Sequence, residues 1–260
     1  MNVPIRFASE GYQIEGRFYS TKEPAFSTVL LLPGFPGNEG DVLDLGQEMS
    51  QRGVHVMTFH YRGTYQSEGT YSLRGTLEDI RAAIEYLDQP EVIRRYHIDT
   101  DRLVLGGYSY GGGMALAYAA QHPKVRRVFT IAATDHGEFA RECQRNPAFA
   151  QTIGALFKGL ESPNGPVRFV AKAALEELVR DPGPYDLRLH ATALANRDLL
   201  LIGGWDDSNV TIEHHLLPFY RALQGARAQS VQIAAFQDDH AFERSREKLA
   251  EAVVRWVKSP

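Results

Sequence analysis

The sequence predicts an α/β fold with a mostly parallel central sheet flanked by helices, and three observations carry that expectation. Short apolar runs recur along the chain, segments of helical periodicity separate them, and the rhythm breaks for one long interval past residue 133. At 260 residues the chain is long enough to bury a sizeable core, and one domain over residues 1–260 is expected.

Taken in order, residues 12–19 alternate polar and apolar side chains as a half-exposed strand does, and a turn at 20–25 closes them. An antiparallel edge near the N-terminus follows. Thr28-Val29-Leu30-Leu31-Leu32 is a continuous apolar run ended by Pro33-Gly34, the pattern of a central strand covered on both faces. Runs at 54–59, 103–105 and 125–132 repeat it. Leu77, Ile80, Ala83, Ile84 and Leu87 recur at three- and four-residue intervals, with Glu78, Asp79, Arg81 and Glu85 on the other face. Pro90 should end or loosen that helix. Past residue 133, helix-like stretches at 149–160 and 167–179 are broken by Ser162-Pro163-Asn164-Gly165-Pro166 and Asp181-Pro182-Gly183-Pro184. The interval reads as an inserted helical lid. Strands at 198–202 and 231–236 and a helix at 241–257 complete the pattern, with no internal repeat or low-complexity tract.

Composition narrows the partners. With 43% hydrophobic and 23% charged residues, a net charge of −4 and no long run of Lys or Arg, the chain has no electrostatic footprint for nucleic acid or an anionic membrane. A small-molecule partner is expected. The single cysteine, Cys143, excludes an intrachain disulfide and a Cys-based zinc cluster. Met1-Asn2-Val3-Pro4-Ile5 carries no basic stretch leading into an apolar one, and no apolar run reaches membrane-spanning length. A cytoplasmic location without membrane insertion is the expectation.

Chemistry concentrates in a few segments. Gly107-Tyr108-Ser109-Tyr110-Gly111 follows a predicted strand and opens a predicted helix, the context that a G-x-S-x-G nucleophile turn requires. A serine on so sharp a turn needs small flanking residues, because side chains there would clash with strand and helix. Neither phosphate-binding glycine pattern can be threaded through residues 106–113. A serine hydroxyl needs a base to attack, and the base needs a carboxylate to hold its tautomer. Gly203-Gly204-Trp205-Asp206-Asp207 and Gln237-Asp238-Asp239-His240 each follow a predicted strand, and parallel strands bring both loops to the sheet edge of Ser109. Among nine histidines, His240 alone follows the last predicted strand and precedes the last helix. His136, after the strand ending at Ala132, is its rival; His55, His60, His97, His122, His190, His214 and His215 read as surface or packing residues. Asp207, Asp206 and Asp135 all remain candidates for the acid. For an oxyanion, Tyr110 supplies one backbone N–H and Phe35, after the Thr28 to Leu32 run, the second; Pro36 cannot donate. Phe35, Tyr108, Tyr110 and Trp205 flank these positions and suggest an apolar, partly aromatic pocket, with Tyr108 and Trp205 as substrate contacts.

These residues resemble the α/β-hydrolase superfamily over nearly the whole chain, especially its single-domain esterase and acyl-peptidase-like branches. Leu32-Pro33-Gly34-Phe35-Pro36-Gly37-Asn38 is similar to the family's H-G-F-x-G-N oxyanion loop, with Pro33 in place of histidine. Tyr61-Arg62-Gly63-Thr64-Tyr65-Gln66-Ser67-Glu68-Gly69 is similar to Y-R-G-x-G-x-S-x-G, with Tyr65 in place of a glycine, where its bulk would reshape one wall of the site. Gly204 to Asp207 fits G-x-x-D, and His240 with Phe242 fits H-x-F, so the resemblance implies Asp207 over Asp206. It also implies a lid after the sixth strand, residues 135–196, as the element that sets specificity. The implied reaction is ping-pong acyl transfer from a carboxylic ester through Ser109, His240 and Asp207, with no metal or organic cofactor. Hydrolysis of acyl-peptide or aminopeptidase-type amides, and a noncatalytic binding module on the same fold, are the alternatives.

Overall fold

In the computed structural model, which describes residues 2–22, 24–37 and 42–259, the apolar runs become the inner strands of an eight-stranded sheet. The strands are β1 (Asn2–Ser9), β2 (Tyr12–Tyr19), β3 (Thr28–Leu32), β4 (His55–Phe59), β5 (Leu103–Tyr108), β6 (Arg127–Ile131), β7 (Asp198–Gly204) and β8 (Ser230–Phe236), in the order β1-β2-β4-β3-β5-β6-β7-β8. β1 and β2 pair antiparallel, β2 joins β4 antiparallel, and every pairing from β4 onward is parallel. The antiparallel edge of the sequence reading gains β1. Its signal was the alternation that buries Ile5 and Phe7 and leaves Arg6 outside.

Each inner strand is buried on both faces, and its alternate residues feed two separate cores. Leu30 and Leu32 of β3 face one; Val29 and Leu31 face the other. The helices are α1 (Leu45–Gln51), α2 (Leu73–Leu87), α3 (Pro90–Tyr96), α4 (Tyr110–Gln121), α5 (His136–Arg145), α6 (Pro147–Leu160), α7 (Ala171–Arg180), α8 (Ala191–Leu194), α9 (Leu217–Gly225) and α10 (Arg246–Val257). Residues of α2, α4 and α9 join the Leu30 core, and those of α1 and α10 join the Val29 core. Arg127 fastens α10 to the sheet. Its guanidinium bonds Asp198 of β7 at 3.0 Å and the carbonyls of Trp256 and Val257 at 2.7 and 3.0 Å, and lies 4.5 Å over the Trp256 ring.

Two details of the sequence reading need correction. Pro90 does not loosen α2, which ends at Leu87; it starts α3 at a first-turn position, where its missing N–H has no helical partner to lose. Asp79 does not share the solvated face of α2 with Glu78, Arg81 and Glu85. It is fully buried and accepts from Arg62 Nε at 2.9 Å, Arg62 Nη2 at 2.8 Å and the Arg62 backbone N–H at 2.8 Å. Arg62 also reaches Ser9 and Glu10, so one ion pair joins β1, the segment after β4, and α2.

Between β6 and β7 lie α5 to α8, at the place where the rhythm of the sequence breaks. The stretch 166–168 is bound to the segment after β4. Thr64 bridges Val167, Tyr65 N–H donates to Pro166 at 3.0 Å, and Arg168 donates from its backbone to Gly63 and from its guanidinium to the carbonyls of Tyr65, Ser67 and Gly69. Among the described residues no helix is long and apolar enough to cross a membrane.

Removing one partner of a buried ion pair leaves the other unpaired and desolvated. Asp79→Ala is therefore expected to lower unfolding free energy by about 3 to 5 kcal/mol, whereas Glu78→Ala, one residue away, should change it by less than about 1 kcal/mol. Urea denaturation of both variants makes the comparison, and equal effects would contradict it.

Candidate active site

β5 ends at Tyr108 and α4 begins at Tyr110, so Ser109 alone makes the turn, at φ 53° and ψ −119°. That is a strained conformation for a residue with a Cβ. Its peptide groups are held from several sides. Ser109 N–H donates to Ile131 of β6 at 2.8 Å, and its carbonyl accepts from Gly112, Gly113 and Thr134 at 3.1, 3.2 and 3.0 Å. Chain passes so closely here that a Cβ on Gly107 would sit 2.3 Å from the Gly111 carbonyl, and one on Gly111 would sit 2.4 Å from that of Pro33. Glycine is required at both positions by space.

β8 lies three strands from β5, so their ends stand about 14 Å apart at the usual strand spacing of about 4.8 Å. The loops after β7 and β8 close that gap together. Trp205 N–H donates to Phe236 at 2.8 Å, Asp206 N–H donates to Asp238 at 3.0 Å, and a Cβ on Gly204 would meet the Asp238 carbonyl at 2.5 Å. This brings His240 Nε2 to 2.9 Å from Ser109 Oγ, and His240 Nδ1 to 2.7 Å from Asp207 Oδ2. The other oxygen of Asp207 accepts the backbone N–H groups of Asn209 and Val210, both at 2.8 Å. With a carboxylate oxygen as the partner at Nδ1, a neutral imidazole donating there leaves its Nε2 lone pair toward the serine hydroxyl.

Of the three acid candidates, the structure pairs Asp207 with His240. Asp206 turns outward to Gln237 and Arg244, at 2.6 and 2.8 Å. Asp135 caps α5, accepting from Gly137 at 3.0 Å and from Leu187 at 3.2 Å.

The loop after β3 lies against the serine. A Cβ on Gly34 would come 3.4 Å from Ser109 Cβ and 3.3 Å from the Tyr108 ring, and Tyr61 donates its hydroxyl to the Pro33 carbonyl at 2.7 Å. Tyr110 is the first residue of α4, so its N–H has no acceptor within the helix. The Phe35 ring packs with Tyr71 at 4.6 Å and Tyr110 at 5.6 Å, and with Phe157 and Phe169 of the α5–α8 segment at 5.7 and 6.1 Å. Asn38, quoted with the same loop, lies outside the described residues. Tyr65 turns its ring to His60, at 5.2 Å, and its peptide to residues 166–168. Of the two expected substrate contacts, Trp205 is 55% exposed, whereas Tyr108 is half-buried and spends its hydroxyl on the His240 carbonyl at 2.9 Å. No local pattern in the sequence encodes that bond. Among the described residues no group of three or more His, Cys, Asp or Glu side chains is placed to hold a metal ion.

The family model of the alpha/beta hydrolase fold matches residues 27–158. The uncharacterized protein YfhR of Salmonella typhimurium is 37% identical over 114 residues, covering 42% of this chain and 37% of that protein. Cutinase 2 of Thermobifida cellulosilytica is 27% identical over 128 residues, covering 48% of this chain and 47% of the cutinase. The matches thus span less than half of these curated relatives. Solved structures align over far more of the chain. DcsB in complex with its substrate analogue has a TM-score of 0.74 at 12% identity, covering 99% of both chains. The Pyrococcus furiosus esterase Pf2001 has a TM-score of 0.73 at 17% identity, covering 99% of this chain and 91% of its own.

Two histidines beside the site are not aligned with Ser109. His136 is buried at the start of α5 with its ring 5.1 Å from that of Tyr110, and His215 accepts the Asp135 N–H at 3.1 Å. Burial pushes both imidazoles down to about 4. Burial, aided by the neighbouring Asp186, pushes the Asp135 carboxyl up to about 6.

Unfolding returns each histidine to an ordinary value of about 6.5. Between about 6.5 and about 4 the unfolded chain therefore binds more protons at these two sites, and their contribution to stability is lost as pH falls through that window. Asp135 acts in the opposite sense, but it is one group against two. Thermal melts should show Tm falling from pH 7 to pH 5, with a smaller fall in the double variant His136→Gln/His215→Gln. An identical pH dependence in wild type and double variant would refute the assignment.

Proposed function

The chain belongs to the alpha/beta-hydrolase fold family, and on that premise we propose that it is a serine hydrolase cleaving carboxylic esters through an acyl-enzyme, with Ser109 as nucleophile. The observation that carries the proposal is the continuous hydrogen-bonded line from Asp207 through His240 to a serine held on a strained turn. Esterases and a cutinase among the similar proteins favour esters as the substrate class.

In the proposed reaction the Ser109 hydroxyl passes its proton to His240 Nε2 as Oγ bonds to the ester carbonyl carbon. Asp207, with one oxygen held by two backbone donors and the other facing Nδ1, orients the imidazole and stabilises its cation. The carbonyl oxygen, now an anion, is received by the backbone N–H groups of Phe35 and Tyr110. When the tetrahedral intermediate collapses, the carbon–oxygen bond to the alcohol breaks and His240 returns the proton to that oxygen. Water then attacks the acyl-enzyme, gives its proton to His240, and releases the acid as Ser109 recovers its hydrogen. No step calls on a group from outside the chain other than substrate and water.

Residues 135–196 are proposed as a lid within a single domain spanning 1–260. The packing of Phe157 and Phe169 on Phe35 supports this, since it joins that segment to an expected oxyanion donor. Trp205, with its exposed indole on the loop of the acid, is the proposed substrate contact that keeps its side chain free for the role.

A fluorophosphonate reagent is expected to label the wild type and to leave Ser109→Ala unlabelled. Hydrolysis of p-nitrophenyl esters should fall by at least about a thousandfold in Ser109→Ala and about a hundredfold or more in Asp207→Asn. A wild type that neither labels nor turns over esters would reject the proposal, and preference for aminoacyl-nitroanilides would move it to amides.

A further inference from the structure

Tyr108 touches both loops that the proposed reaction must hold in register, and it does so from the position immediately before the nucleophile. Its hydroxyl donates to the main-chain carbonyl of His240 at 2.9 Å, across 132 residues of sequence. Its ring lies 5.1 Å from the His240 imidazole, tilted by 35°. On the other side, Gly34 of the oxyanion loop approaches so closely that a Cβ there would stand 3.3 Å from both Cδ1 and Cε1 of the same ring. Bonds at the residues that follow His240 are local by comparison. Ala241 N–H donates to Asp239 Oδ1 at 3.0 Å, Phe242 N–H donates to Asp239 O at 3.3 Å, and Arg246 holds the Ala241 carbonyl at 3.1 Å.

On the reading that Ser109 is the nucleophile, we propose that Tyr108 is a positioning residue that works as a strut: its hydroxyl fixes the main chain of His240, and its ring spaces that loop from the one carrying Phe35. The base is thereby located relative to the serine by the serine's own neighbour. This replaces the sequence expectation of a substrate contact, because the hydroxyl is already committed and the half-buried ring lies between two loops. Burial pushes the phenol up to about 12, so it remains a donor throughout the range in which the imidazole can act as a base.

Tyr108→Phe deletes the hydroxyl and keeps the ring. For p-nitrophenyl acetate, kcat is expected to fall about tenfold, the order of loss that follows from a slightly misplaced catalytic group, while KM stays within about twofold. Tm should move by no more than about 3 °C, roughly the shift for one neutral hydrogen bond in a domain of this size. A second readout needs no substrate: the downfield proton resonance of His240 Nδ1–H should broaden in Tyr108→Phe relative to wild type as the imidazole loses its fixed geometry. A raised KM with kcat intact would make Tyr108 a substrate contact and overturn the proposal. So would wild-type kcat and resonance in the variant, or a loss of activity that merely tracks loss of folded protein. Absence of esterase activity in the wild type would reject the hydrolase reading instead, and the imidazole resonance would still decide whether the strut exists.

Discussion

A residue with a Cβ held at φ 53° and ψ −119° costs about 1 to 3 kcal/mol, and the rest of the site is arranged around meeting that cost at Ser109. The hydrogen bonds at its own peptide groups, each worth about 1 kcal/mol net, come from Ile131 of β6, the first turn of α4 and Thr134 beyond β6. The turn is therefore stable only if β6 lies beside β5 and α4 begins without a spacer. Both conditions then dictate composition. Strand and helix meet so tightly that positions 107 and 111 have no room for a side chain. On this turn the hydroxyl meets the histidine loop, at 2.9 Å from His240 Nε2.

Topology brings that loop near, and short-range chemistry finishes the placement. β5, β7 and β8 run in the same direction, so their following loops emerge at one edge of the sheet. The remaining distance from β8 to β5 is spanned by chain that folds over the end of β7, where Gly204 allows the Asp238 carbonyl to approach. Asp207 is the fixed point of this crossing. Its side chain is excluded from solvent, and three donors occupy its two oxygens: the N–H groups of Asn209 and Val210 and the imidazole of His240. A carboxylate so bound has little freedom to rotate, so the orientation of the imidazole follows from the fold of residues 207–210. Asp206, adjacent in sequence, points to Arg244 and Gln237 at the surface and contributes to the loop rather than to the line.

The features legible in the sequence are those written in local pattern. Continuous apolar runs gave the buried parallel strands because burial on both faces leaves no alternation to hide them. The Gly-x-Ser-x-Gly segment announced itself because close packing on a sharp turn admits few residues. What stayed illegible depends on partners distant in sequence. Asp79 has the periodicity of a solvated helix face, and only Arg62, arriving from the segment after β4, turns it inward. Tyr108 reads as an aromatic beside the proposed nucleophile until the His240 carbonyl is placed at its hydroxyl. Pro90 has the same local signal whether it stops one helix or starts the next, and the two-residue break at Asp88 and Gln89 decides between them.

The segment from α5 to α8 combines firm attachment to the body with one element that buries very little. It is tied firmly on either side of α6: Glu138 and Asp186 engage Arg141, Arg145 and Arg188 near the exit from β6, and Arg168 stitches 166–168 to the carbonyls of residues 65–69. α6, between those anchors, has no buried residue although its sequence is largely apolar, and Leu156 is 56% exposed. An element that buries so little contributes little to the stability of the body and is free to differ in sequence or position at small cost. Yet through Phe157 it rests on Phe35, whose backbone is expected to face the reacting carbonyl. The anchors thus flank α6 without involving the turn at Ser109, and its ring contact with Phe35 is what links α6 to the proposed oxyanion loop.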